Sequence, residues 1–308
     1  PGDSDLYRFE GGAGQEVTAE VFARRLASPV DSLLVLSDAA GKVVAENDDC
    51  SYEYTYNDLN QRTSREYLNT TWTSYSYNDA GWLTDMINWK TSTDVIFEFS
   101  YTHDDVGNRL SMTTEDGTHD YGYDDIYELT TVDYPTGSTF SDQTFHYDSA
   151  WNRTTTVNGG TEEYLANDLN QYTEVDGVSF DYDGNGNLTT DGSQTYYYNC
   201  ENLLTKVVRN SDGATLGEYK YDPFGKRIQK TADDVTTNYV YDHTSYQVIA
   251  EYEDDGSGFE LAREFVYGVG IDEPLLMVQD ENQYFYYRDG LGSVTDLTDS
   301  DGDSVKEY

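Results

Sequence analysis

Basic residues, cysteines and long apolar runs are all scarce in this chain. Its 308 residues hold 18 Lys and Arg against 59 Asp and Glu, a net charge of −41. A surface of that sign repels DNA, RNA and anionic lipid, and it favours divalent cations or a salty medium. No apolar window reaches the roughly 18 residues of a membrane-spanning helix, so no membrane insertion is expected. The two cysteines, Cys50 and Cys200, form no CxxC pair, which argues against zinc. They are a candidate disulfide, with burial as two small apolar side chains the alternative. No leader is recognisable, and Pro1-Gly2-Asp3 reads as an internal or mature start.

Catalytic signatures are missing as well. The sequence has no G-x-S-x-G, no HExxH and no P-loop. Its four histidines, His103, His119, His146 and His243, lack metal-ligand spacing, so structural or exposed roles are expected. The abundant carboxylates fall at turn positions that a fold already explains. The sequence therefore predicts a protein that is not an enzyme.

What the chain has is tyrosine. Thirty Tyr residues and an apolar share of only 37% mean that the core must be built largely from phenol rings. Many stand before Asp or Asn in a degenerate repeat: Tyr56-Asn57, Tyr77-Asn78, Tyr101 ahead of His103-Asp104, Tyr123-Asp124, Tyr147-Asp148, Tyr182-Asp183, Tyr198-Asn199, Tyr221-Asp222 and Tyr241-Asp242. Steps of mostly about twenty residues are a repeat period. An aromatic two residues earlier, as in Tyr54/Tyr56, Phe145/Tyr147 or Tyr219/Tyr221, shares one face of a strand with the repeat tyrosine. Stacked hairpins would line these rings into a ladder. The Asp or Asn opens the turn, and a following Gly or Asn supplies positive φ. The unit at Ala166-Asn167-Asp168-Leu169-Asn170 has Ala where the ring belongs, which predicts a local gap or a contact.

Residues 1–49 read differently. Alternation over Val17–Ala23 and the short runs Leu33–Leu36 and Val43–Ala45 predict a few strands of a partial β-sandwich. Asp5-Leu6-Tyr7-Arg8-Phe9, Arg25-Leu26-Ala27-Ser28-Pro29-Val30-Asp31-Ser32-Leu33-Leu34, Asp38-Ala39-Ala40-Gly41-Lys42 and Asn47-Asp48-Asp49 resemble the first half of the bacterial pre-peptidase C-terminal (PPC) domain. An incomplete sandwich exposes an edge that a donor strand can fill.

Residues 50–308 resemble the Rhs/YD-repeat family. Its core region is matched by Tyr221-Asp222-Pro223-Phe224-Gly225-Lys226-Arg227, by Arg263-Glu264-Phe265-Val266-Tyr267-Gly268-Val269-Gly270-Ile271-Asp272-Glu273-Pro274-Leu275, and by Tyr286-Tyr287-Arg288-Asp289-Gly290-Leu291-Gly292-Ser293-Val294-Thr295. The resemblance implies an all-β fold, a hairpin array forming a long, twisted or spiralling antiparallel sheet. In the family such sheets form hollow shells, around a toxin in Rhs and Tc systems and as a barrel in teneurins. The repeats here are fewer than family shells use, and the chain ends before the self-cleaving site and toxin tip of some members. The expectation is therefore a sheet that falls short of a closed shell.

The functional expectation is a secreted, non-catalytic scaffold at the cell surface or outside the cell, a homo-oligomer or polymer joined by strand complementation. The alternatives are a piece of an Rhs/Tc-like toxin-encapsulating shell and an adhesin whose exposed aromatics bind glycans. No cofactor is expected apart from calcium. Candidate calcium ligands are Asp299, Asp301 and Asp303, and Asp181 and Asp183 in a loop whose twelfth position is Gly192 instead of the bidentate Glu. Asn69, Asn152 and Asn187 open Asn-x-Thr sequons and are candidate glycosylation sites.

Overall fold

Local chemistry sets the repeating unit. In a computed structural model that describes residues 34–37, 43–47, 53–242, 246–268, 270 and 272–307, eleven repeat turns share one hydrogen-bond pattern, which Asp254 also makes with Gly256 and Gly258. The Oδ1 of Asn57, Asn78, Asp104, Asp124, Asp148, Asn167, Asp183, Asn199, Asp222, Asp289 or Asp299 accepts the N–H groups two and four residues later, at 2.8 to 3.1 Å. The short side chain thus replaces a backbone acceptor. Three residues after it the backbone turns left-handed, usually at Asn or Gly: φ is 60° at Asn60, 85° at Gly81 and 61° at Asn202. The third turn residue points to solvent, so Leu59, Val106, Ile126, Leu169, Phe224 and Leu291 are all exposed.

Between these turns run Thr-, Tyr- and Val-rich strands, residue types that fit a half-buried pleated surface. They form an antiparallel meander from Tyr54–Tyr56 to Ser304–Glu307, in two 13-stranded sheets whose neighbours in space are neighbours in sequence. The sheets are continuous through one chain segment. Val178–Ser179 pairs with the strand before it, and Asp181–Tyr182 pairs with the strand after it. The all-β, repeat-built sheet expected from the sequence is present.

The ring ladder is tied together by hydroxyls. Tyr77 donates to the Arg62 carbonyl (2.9 Å), Tyr123 to Arg109 (2.9 Å) and Tyr147 to Leu129 (2.7 Å). Tyr182 donates to Tyr172 (3.0 Å), Tyr221 to Leu204 (2.7 Å) and Tyr241 to Arg227 (2.8 Å). In each case the acceptor lies opposite the ring position of the preceding unit, at a register shift. Arginines at that position lie over ring faces: Arg109 is 4.2 Å from the Tyr101 centroid and Arg153 4.6 Å from that of Phe145.

Four units depart from the tyrosine pattern. In the third, the residue directly before the turn Asp is His103, so Tyr101 sits one ring earlier along the strand. At Ala166 the gap is filled from across the ladder: Tyr172 pairs with Ala166, and its hydroxyl accepts the Arg153 N–H at 3.0 Å. Before Asp289 and Asp299 the ring position is held by Arg288 and Thr298.

The two ends of the array meet. Tyr67, Phe285, Tyr287 and Leu276 form one buried cluster with Phe97 against it, and Met86, Phe99 and Tyr101 form a second. Phe97, Phe99 and Tyr101 lie on the ring-ladder face of the opening strands. Phe285 and Tyr287 alternate with Tyr284, Tyr286 and Arg288, so they lie on the opposite face of the closing strands. One face of the start therefore packs on the other face of the end, the relation of successive layers in a spiral. The repeats suffice to bring start and end into contact, as a spiralling sheet does.

The chain divides into two units, Pro1–Ser51 and Tyr52–Tyr308. In the first, Leu34–Ser37 and Val43–Asn47 pair antiparallel. The expected strand at 17–23 and most of the PPC-like segment lie outside the described residues.

Candidate functional site

The seam between the first and last strands concentrates the buried polar chemistry of the array. The loop after the strand Glu260–Tyr267 is longer than the repeat turn, and it delivers Glu273 just before Pro274–Gln279. Gly268 donates to the Glu273 carbonyl at 2.7 Å, and Gly270 to its Oε2 at 2.9 Å. Glu273 Oε1 receives three guanidinium groups: Arg62 at 2.9 Å, Arg288 at 2.8 Å and Arg65 at 3.6 Å. Burial pushes the Glu273 carboxyl up, but Arg62, followed by the Gly270 N–H and Arg288, brings it to a net value below the ordinary 4.5. Arg65 is buried, bonds the Tyr67 hydroxyl and lies 4.6 Å from the centroid of that ring. Tyr54 lies under Arg62, and burial, reinforced by Glu273, pushes its hydroxyl up to about 12.

Close backbone approach completes the seam. Gly290 donates to the Tyr101 hydroxyl at 2.8 Å, and a Cβ there would lie 3.0 Å from Leu83 and Tyr101. At Gly302, where φ is +75°, a Cβ would meet Thr71 at 2.8 Å. Thr71 and Tyr287 share a short hydroxyl contact, Tyr67 donates to the Tyr286 carbonyl at 3.1 Å, and Lys90 pairs with Asp303.

The residues singled out from sequence have mostly turn-building roles. Asp183 Oδ1 accepts the Asn185 and Asn187 N–H groups, and its Oδ2 accepts the Asn187 amide at 2.8 Å. Asp299 accepts Asp301 and Asp303 in the same way, and Asp181 is an exposed strand residue. Among the described residues no group of three or more His, Cys, Asp or Glu side chains is arranged to hold a metal. The Asn69 amide donates to the Asp299 carbonyl across the seam at 3.1 Å. The amides of Asn152 and Asn187 clamp their own turns and reach Asn170 and Asn202 in the next units. Cys200 is an exposed free thiol at a turn tip, and Cys50 lies outside the described residues. His103 and His119 each bury an Nδ1 without a partner, His146 is exposed, and His243 lies outside the described residues.

Sequence reasoning did not find Arg62, Arg65, Glu273 and Arg288. One local signal was present: Arg288 stands where the repeat places a tyrosine, in a chain with few basic residues.

The same architecture occurs in known proteins. Over 171 residues the chain is 36% identical to the tRNA3(Ser)-specific nuclease WapA of Bacillus spizizenii, a match that covers 53% of this chain and 7% of the nuclease. Among solved structures, the TcdB2-TccC3 crystal structure superposes with a TM-score of 0.67 at 17% identity, over 89% of this chain and 17% of that one. The Photorhabdus luminescens Tc holotoxin pore superposes with a TM-score of 0.64 at 17% identity, over 89% of this chain and 16% of that one. The chain thus spans only a small part of the length of the relatives it matches. A model of the Teneurin YD-shell family matches residues 52–308, and the chain belongs to that family.

Proposed function

We propose that this chain is a stretch of shell wall: a non-catalytic β-array that encloses a polypeptide cargo as part of a larger extracellular toxin-type protein. The observation that carries this reading is the seam, where the ring face of the opening strands lies on the opposite face of the closing strands. A spiral layered in this way makes a wall, and its layers are held by buried aromatic packing, not by a pocket. The resemblance of the fold to Tc toxin components and of the sequence to a WapA nuclease fits a container better than a fibre joined by strand complementation. Nuclease action belongs to the named relative, and the turn-capping use of the carboxylates here favours a structural role.

The test is limited proteolysis of the full-length protein that contains this stretch. A cargo segment resistant to protease until the Tyr52–Tyr308 array unfolds supports the reading. Cargo digested while the array is intact would refute it, and so would tRNA cleavage by purified residues 1–308.

A further inference from the structure

In a chain of net charge −41, the group around Glu273 holds more positive charge than negative. Three guanidinium groups, Arg62, Arg65 and Arg288, meet one carboxylate, Glu273, and Tyr54 stays neutral at physiological pH. Among the described residues these three arginines pair with no carboxylate but Glu273; Asp296, the other carboxylate buried in the closing strands, accepts from the Ser304 hydroxyl at 2.9 Å. Arg65 is 1% exposed and Glu273 3%, so bulk water does not screen the pair. Two buried polar atoms in the group have no hydrogen-bond partner, Arg65 Nε and the Tyr54 hydroxyl. Arg62 and Arg288 keep 22% and 13% exposure, so the group has an edge open to solvent. Buried polar atoms are normally satisfied, and donors left over beside uncompensated charge call for a partner such as a water or an ion.

We propose that the seam is an anion site, and that it takes an oxyanion of carboxylate or phosphate type on Arg62, Arg65 and Arg288. The Arg65 Nε–H and the Tyr54 hydroxyl are its further donors. Guanidinium forks match planar or tetrahedral oxyanions through paired N–H donors, which a spherical halide cannot use. The bound anion supplies the missing negative charge and ties Arg62 and Arg65 of the opening strands to Arg288 of the closing ones. Occupancy therefore stabilises the closed array.

The test is thermal unfolding of residues 1–308, exchanged into buffer free of polyvalent anions and titrated at constant ionic strength with phosphate, acetate or chloride. Phosphate or acetate should raise Tm saturably, by about 5 °C at a hundredfold excess over Kd, with no rise in chloride. A response to phosphate alone identifies a phosphate-type ligand. A response to acetate as well identifies a carboxylate-type ligand, such as an acidic side chain of a polypeptide. Glu273→Gln removes the competing carboxylate, so its Tm should be lower without anion and its half-saturating phosphate concentration at least about tenfold lower. Arg288→Gln should lose the response. If that variant does not fold, the wild-type Arg65 Nε–H resonance reports instead, shifting with phosphate and not with chloride. Equal Tm responses to all three anions overturn the proposal, as does a Glu273→Gln variant with no gain in anion response. Either result leaves the arginines serving Glu273 alone.

Discussion

The Tyr221 hydroxyl donates to the Leu204 backbone carbonyl at 2.7 Å, one repeat back along the array. The repeat tyrosine thus does two jobs: its ring packs beside the rings of its neighbours, and its hydroxyl fixes the spacing of adjacent units. Removing the oxygen leaves the ring in place and the Leu204 carbonyl short of one partner. Tyr221→Phe should lower the free energy of unfolding by about 1 kcal/mol, read from urea melts. Tyr197→Phe, at an exposed position on the other face, should stay within about 0.5 kcal/mol of wild type. Equal effects at both positions would remove the unit-to-unit bond from the account.

Phe285 and Tyr67 carry the apolar part of the seam, edge to face with ring centroids 6.3 Å apart. Phe285→Ala empties a fully buried site in the cluster that joins the two ends. The expected cost is about 3–5 kcal/mol, and it should fall on the contact between the ends before it reaches the middle of the array. Hydrogen exchange should therefore quicken first in Trp72–Tyr77, Leu83–Thr91 and Asn282–Arg288. Uniform quickening through Gln194–Tyr198 and Leu204–Arg209 would mean that the array unfolds as one unit without a separable seam.

The turn, the ring face and the strand period were legible in the sequence because each is local. An Asp or Asn, a left-handed residue three places on and an aromatic two places before the ring position all fall within a few residues. The seam was not legible, because Arg62 meets Glu273 across 211 residues and no period connects them. The Ala166 gap could be seen in the sequence, but not what fills it. Tyr172 reaches that place because antiparallel register sets it opposite Ala166, a relation fixed by the fold and not by spacing. The contact between the two ends was not legible for a related reason: counting repeats gives the length of a sheet and says nothing of its curvature.

Glu273 makes the seam sensitive to acid. Burial raises its carboxyl, the arginines and the Gly270 N–H lower it, and the net folded value lies below the ordinary 4.5. A depressed folded pKa gives stabilisation that is fully present above pH 4.5 and is lost as pH falls through the folded value. Wild-type protein should therefore lose near-ultraviolet dichroism from the packed seam tyrosines below pH 4.5, before the far-ultraviolet sheet signal falls. Glu273→Gln should be less stable at neutral pH and flatter across the same acid window. An acid profile identical in both proteins would assign the transition to other carboxylates.

Two turns break the rule that the other nine obey. Asn60, Gly81, Gly107, Asn170, Gly186, Asn202, Gly225, Gly292 and Gly302 hold the left-handed position, but Tyr127 and Trp151 occupy it at φ 68° and 67°. A side chain with a Cβ costs about 1–2 kcal/mol in that conformation, and Asn offsets part of the cost by local hydrogen bonding. Trp151 is 73% exposed, so little burial is lost with its ring. Trp151→Asn should therefore stabilise the array by about 1 kcal/mol, with an unchanged denaturant slope and a higher midpoint. Asn170→Ala in the next turn should move the midpoint the other way. A Trp151→Asn variant less stable than wild type would show that the indole is held by contacts outweighing its backbone strain.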